Sequence, residues 1–81
     1  MIDTVQTVEF QGITYNASHG SPFDRGSADS YYGRGRRPHY YLGNTGSSPR
    51  VEAKDMTPDE IAAYNAGYDD NEDDGNFKES H

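Results

Sequence analysis

Apolar and polar positions alternate over residues 8–15. The run "VEFQGITY" sets Val8, Phe10, Ile13 and Tyr15 around Gln11-Gly12, the period-2 pattern of two short strands joined by a tight turn. A two-residue loop puts Phe10 opposite Ile13 and Val8 opposite Tyr15. These four then share one side of the ribbon, and Glu9 and Thr14 the other. Gln-Gly is a weaker turn signal than Asn-Gly, because the first position also needs a positive φ. A hairpin is predicted within residues 1–17. Isolated hairpins are barely stable in water, so this one must pack on another element.

From Met56 the period becomes helical. "MTPDEIAAYNAGYDD" supplies Thr57 as N-cap, Pro58 at the first helical position and Glu60 as capping-box partner, with Met56 and Ile61 placed for a hydrophobic staple. Ile61, Tyr64 and Tyr68 recur at spacings of three and four, giving one apolar-aromatic stripe. Gly67 marks close packing, and Gly75 is the stop signal. The acids from Asp69 to Asp74 lie at the negative end of the helix dipole, so that end should fray or take a cationic partner. The stripe is the predicted surface for the hairpin face, with Phe23 or Tyr31 between them.

The segment between is "GSPFDRGSADSYYGRGRRPHYY", residues 20–41, with four arginines, five aromatic residues and two prolines. "SPFD" repeats the helix-start grammar, with Ser21 as cap, Pro22 next and Asp24 three residues after the cap. A short helix from Pro22 to Tyr32 is predicted, closed by Gly33, with Gly26 as an interior weak point. The following "GRGRRPHYYLGNTGSSPR" has loop composition. The fold class is therefore α+β. One small domain spans 1–81: a hairpin (1–17), a Tyr/Arg-rich helix and irregular loop (20–50), and a capped helix with acidic tail (51–81).

Composition limits what such a chain does. Of 81 residues only 31% are hydrophobic, so the core is small. With no Cys, disulfides and zinc-thiolate sites are excluded. No apolar run approaches a membrane span and "MIDTVQTVEF" has no basic leader, so a cytoplasmic protein is expected. The net charge of −7 is divided unevenly. The first fifty residues are close to neutral, while ten acids face only Lys54 and Lys78 in residues 51–81.

Candidate chemistry is thin. Reading "DDNEDDGNF" as an EF-hand loop from Asp70 puts His81 where the bidentate Glu belongs, and His19, His39 and His81 lack metal-site spacing and read as exposed polar residues. No nucleophile elbow or phosphate loop is present. The expectation is no catalytic site, no metal and no cofactor. Arg34, Arg36 and Arg37 beside Tyr31, Tyr32, His39, Tyr40 and Tyr41 combine cationic charge with stacking faces. The overall negative charge disfavours direct nucleic-acid binding. Tyr and Arg dominate protein-interface hot spots. The plain structural alternative is that the tyrosines supply the missing core, and that Arg25 and Arg34 pair with Asp24, Asp29 or the C-terminal acids.

The blocks "SPFDRGSADSYYGR…PHYY" and "TPDEIAAYNAGYDDNEDDGNFKE" resemble a group of small proteins encoded by tailed phages and prophages, a group with no settled activity; the likeness covers roughly residues 20–79. The stretch "AYNAGYDDNEDDGNFK" also resembles ribosome modulation factor in its Gly-Tyr spacing, although that factor is basic where this chain is acidic. With the Tyr/Arg segment, the phage resemblance implies a non-enzymatic host-interaction protein, acting in the bacterial cytoplasm, that binds and inhibits or redirects a bacterial protein. Two partner-binding surfaces are expected. One is the Tyr/Arg anchor. The other is the acidic end Asp69, Asp70, Glu72, Asp73 and Asp74, which would mimic nucleic-acid phosphates in a basic groove. An RNA- or ribosome-associated factor and a structural phage component are the alternatives, and homo-oligomerisation is open.

Overall fold

The computed structural model describes residues 6–42, 49–75, 77 and 78. It is a small α+β domain. The order is β1 (Thr7–Phe10), β2 (Ile13–Asn16), α1 (Pro22–Tyr31), β3 (His39–Tyr41), β4 (Arg50–Glu52), a 3-10 turn (Ala53–Asp55) and α2 (Pro58–Asp74). The four strands form two separate two-stranded antiparallel sheets, β1-β2 and β3-β4.

The first hairpin has the expected register, Val8 opposite Tyr15 and Phe10 opposite Ile13. Gln11 and Gly12 both take positive φ, 53° and 81°, as a type I′ turn demands. Its packing differs from expectation. The ribbon rests through β2 on α1, where the Tyr15 ring stacks on Phe23 at 5.4 Å, and not on the α2 stripe. Ile13 stays 55% exposed. Phe23 lies between the hairpin and α2, as expected, but the whole of α1 comes with it and keeps the hairpin off the stripe.

Both helices begin as their local sequence dictates. The Ser21 hydroxyl accepts from the Asp24 backbone N–H at 3.3 Å, and the Asp24 carboxylate reaches back to the Gly20 N–H at 2.9 Å. At α2 the Thr57 hydroxyl accepts from the Glu60 N–H at 3.1 Å, while Glu60 accepts from the Thr57 N–H at 2.8 Å. This reciprocal pair satisfies two otherwise unpaired donors and contributes about 1 kcal/mol. Helix α1 gives way at Tyr32, one residue before Gly33. Helix α2 runs through Asp74 and stops at Gly75, which has φ 66° and donates to the Asn71 and Glu72 carbonyls. Asp70 to Asp74 are thus helical, and form no calcium-type loop.

The core is the seam between α1 and α2. Phe23, Gly26, Asp29 and Ser30 are buried on α1, and Tyr64, Ala66, Gly67 and Asn71 on α2. A Cβ at Gly26 would fall 2.0 Å from the Tyr64 carbonyl oxygen, and one at Gly67 would fall 2.0 Å from that of Phe23. Only glycine lets the two backbones approach so closely, and this compensates the poor helix propensity of both residues. Tyr64 is wholly buried, whereas Ile61 and Tyr68 are half-buried, so the seam is rotated from the predicted stripe. It also includes more polar side chains than aliphatic ones. Asn71 donates to the Ser30 hydroxyl at 2.9 Å, and Ser30 donates to Glu72 at 2.5 Å.

The segment expected to be an irregular loop contains β3, which pairs with β4 in the register His39–Glu52, Tyr40–Val51 and Tyr41–Arg50. The Tyr41 N–H also donates to the Gly20 carbonyl at 2.9 Å, fixing β3 beside the start of α1.

Candidate functional site: an arginine-lined cleft

Strand alternation sorts the "RRPHYY" residues to two sides. Side chains point to opposite faces at successive positions of an extended chain. Arg36 and Tyr40 turn toward α2. Arg36 donates to Asn65 at 3.1 Å and to Asp69 at 2.6 Å, and lies over the Tyr68 ring at 4.4 Å. Its hydrogen bond to Asp69 raises the guanidinium pKa further above the ordinary value. The Tyr40 hydroxyl bonds Glu60, which raises the phenol pKa. The Glu60 carboxyl is lowered, first by the Thr57 backbone and then by Tyr40.

Arg37, His39 and Tyr41 instead line a cleft of about 520 Å³ on the opposite side. Helix α1 contributes Arg25 and Asp29 to its wall, the turn after α1 contributes Arg34, and β4 contributes Arg50. Four of the five arginines in a chain of net charge −7 therefore surround one opening. Such concentration of one charge on a low-dielectric wall raises the local potential for the opposite charge.

Asp29 is the hub of the base. It is 3% exposed, yet it is well partnered. It accepts from the Tyr64 hydroxyl and, at 2.9 Å, from Arg34 Nε. Burial, reinforced by Asp29, pushes the Tyr64 hydroxyl well above its ordinary range, so it remains a donor. The same hydroxyl accepts from the Arg37 backbone N–H at 2.9 Å. The Arg37 carbonyl in turn faces His39 Nδ1 at 2.8 Å. A carbonyl only accepts, so Nδ1 carries a proton. The path from α2 through Tyr64 thus holds the backbone at Arg37 and orients His39. His39, expected to be exposed, is 4% exposed, because this network and the Tyr41 and Tyr64 rings enclose it.

The four guanidiniums are unevenly engaged. Arg34 uses Nε on Asp29, and Arg50 uses Nε on Glu52 at 2.8 Å. Arg25 lies 3.6 Å from the nearest Asp24 oxygen, too long for a hydrogen bond, and its buried Nε has no partner among the described residues. Arg37 has no side-chain hydrogen bond or ion pair among the described residues. Near the end of α1, Tyr32 is 50% exposed and has two cations over its ring, Arg34 at 4.8 Å and Lys78 at 5.3 Å.

The expected anchor is therefore partly assembled. Arg34, Arg37, His39 and Tyr41 meet in the cleft, and Tyr32 lies beside it through Arg34. Arg36 and Tyr40 are turned away onto α2. Tyr31 is half-buried, with its ring edge-on to Tyr32. The acidic surface is reduced, because Asp69 and Glu72 already take Arg36 and Ser30. Asp70, Asp73 and Asp74 remain, and burial followed by Asp74 and Asp73 raises the Asp70 carboxyl. His19 is exposed beside Asp24, while His81 lies outside the described residues. Arg25, Asp29 and Arg50 were absent from the expected partner surface. The i, i+4 spacing of Arg25 and Asp29 was the available sign for the first two. Arg50 carried none, since its position depends on pairing with Tyr41.

No family model, curated protein or solved structure matches the chain. Among the described residues no helix is long and apolar enough to cross a membrane.

Proposed function

We propose that this chain is a small non-enzymatic protein of phage type that engages a bacterial host protein in the cytoplasm and inhibits or redirects it through the Tyr/Arg face. The observation that carries the proposal is Arg37. It lines a four-arginine cleft with no carboxylate on its side chain among the described residues. Its backbone is nevertheless held by the buried Tyr64. The backbone is already fixed, so binding has only the side chain left to order, and Arg and Tyr are typical of interface hot spots. The acidic end of α2 is the weaker surface, since two of its five acids are engaged within the chain.

The test is affinity capture from a bacterial lysate with quantitative mass spectrometry, on the wild type and two variants in parallel. A specific host protein retained by the wild type should be lost with Arg37→Ala plus Tyr32→Ala. It should be kept when Asp70, Asp73 and Asp74 are all changed to Asn. The reverse order would assign binding to the acidic end. Equal retention by all three would reject both surfaces.

A further inference from the structure

We infer that the arginine cleft is a binding site for a phosphoryl group, the compact dianion of a phosphate monoester. Four guanidiniums line it, and among the described residues they are answered by three carboxylates, those of Asp24, Asp29 and Glu52. Asp29 is not a free competing anion, because Tyr64 and Arg34 each donate to one of its oxygens.

The donors are what remain in excess. A guanidinium has five N–H groups. Arg34 and Arg50 commit Nε to carboxylates, Arg50 also bonds the Tyr41 side chain, and among the described residues Arg25 and Arg37 make no hydrogen bond to a carboxylate. One planar carboxylate is satisfied by a single Arg fork, whereas a tetrahedral phosphate presents three acceptor oxygens and suits guanidiniums converging from different elements. Here they converge from α1, the turn after it, the approach to β3 and β4. The volume of about 520 Å³ leaves room for the organic group that bears the phosphate, beside the Tyr41 ring. A long polyanion fits less well, because the net charge of −7 opposes its approach while a single phosphoryl group meets only the local field.

The inference uses the same face as the proposed function, yet it is measured without any protein partner. The ¹⁵N-labelled protein is titrated at low ionic strength with inorganic phosphate, O-phosphoserine and adenosine 5′-monophosphate. Serine, adenosine and succinate serve as controls. The phosphate-bearing probes should give saturable shifts at the Arg37, His39 and Tyr41 amides, and the three controls should not. Arg37→Ala should weaken binding about tenfold, the loss expected for one charge-assisted contact. Arg36→Ala, turned away onto α2, should leave it unchanged, and thermal melts check that both variants fold. Tighter binding of O-phosphoserine than of the nucleotide identifies a protein-borne phosphoryl group as the source, and the opposite order a nucleotide. No saturation by any phosphate probe, equal binding of succinate, or indifference to Arg37→Ala overturns the site. Phosphate binding without host-protein capture would reject the partner reading alone, and capture without phosphate binding would reject the phosphoryl site alone.

Discussion

The α1–α2 seam and the arginine cleft share Asp29 and are built on opposite principles. In the seam every polar group is used. Tyr64 both donates and accepts, Ser30 both donates and accepts, and two glycines remove the last space between backbones. In the cleft, donors are left over and like charges are gathered. A half-satisfied polar cluster is costly for stability, and such clusters collect where a ligand completes them. The seam is therefore the part that folding requires. The cleft is the part it does not explain.

Substitutions that add bulk to the seam should have the largest effect. Gly67→Ala places a methyl against the Phe23 backbone, and the helices must part. Overpacking of about 3 kcal/mol or more outweighs the ~1 kcal/mol gain in helix propensity. Urea melts should show it, and Gly26→Ala should match it. An unchanged midpoint would mean that the backbones do not touch.

Tyr64→Phe comes next. It leaves the buried Asp29 oxygen and the Arg37 N–H without a partner, at a cost of about 2 kcal/mol. It should also disturb the amide signals of Arg37 and His39 more than those of the first hairpin. Effects confined to α2 would show that the seam does not position the cleft.

The two adjacent arginines then separate the regions directly. Arg36→Ala removes an exposed ion pair and a ring contact, and should cost about 1 kcal/mol in chemical denaturation. Asp70→Asn should do the opposite. Its carboxyl is raised in the folded state, so its contribution is favourable below the ordinary carboxylate range and is lost as pH rises through the raised value. Replacing it should stabilise the protein by about 0.5 kcal/mol near neutral pH, through relief of like charges at a helix C-terminus, and by less in acid. Melts at several pH values would read the difference. Arg37→Ala should change stability least, within about 0.5 kcal/mol, while altering binding most. A large loss of stability on that change would make the cleft an extension of the seam.

The lesson about prediction lies in the range of the interactions. The Gln11-Gly12 turn, the hairpin register, the Thr57–Glu60 box, the Ser21 cap and the Gly75 stop each depend on residues within a few positions of one another. Their chemistry is complete in a short peptide, so the sequence alone determined them. The acidic character of the α2 end and the Arg/Tyr bias of the middle segment were equally plain. Gly26 read only as a weak point, because its purpose, contact with the Tyr64 carbonyl, lies some forty residues away. Three-residue strands such as β3 and β4 have too few positions to show a period, so their pairing appears only once Gly20 and α1 hold β3 in place. The burial of Asp29 and His39 depended on a hydroxyl brought in by α2. Arg36 and Arg37 are identical neighbours in sequence, and only the tertiary structure gave Arg36 an internal partner and Arg37 none among the described residues. An extended backbone turns adjacent side chains to opposite faces, and what waits on each face is decided by distant parts of the chain.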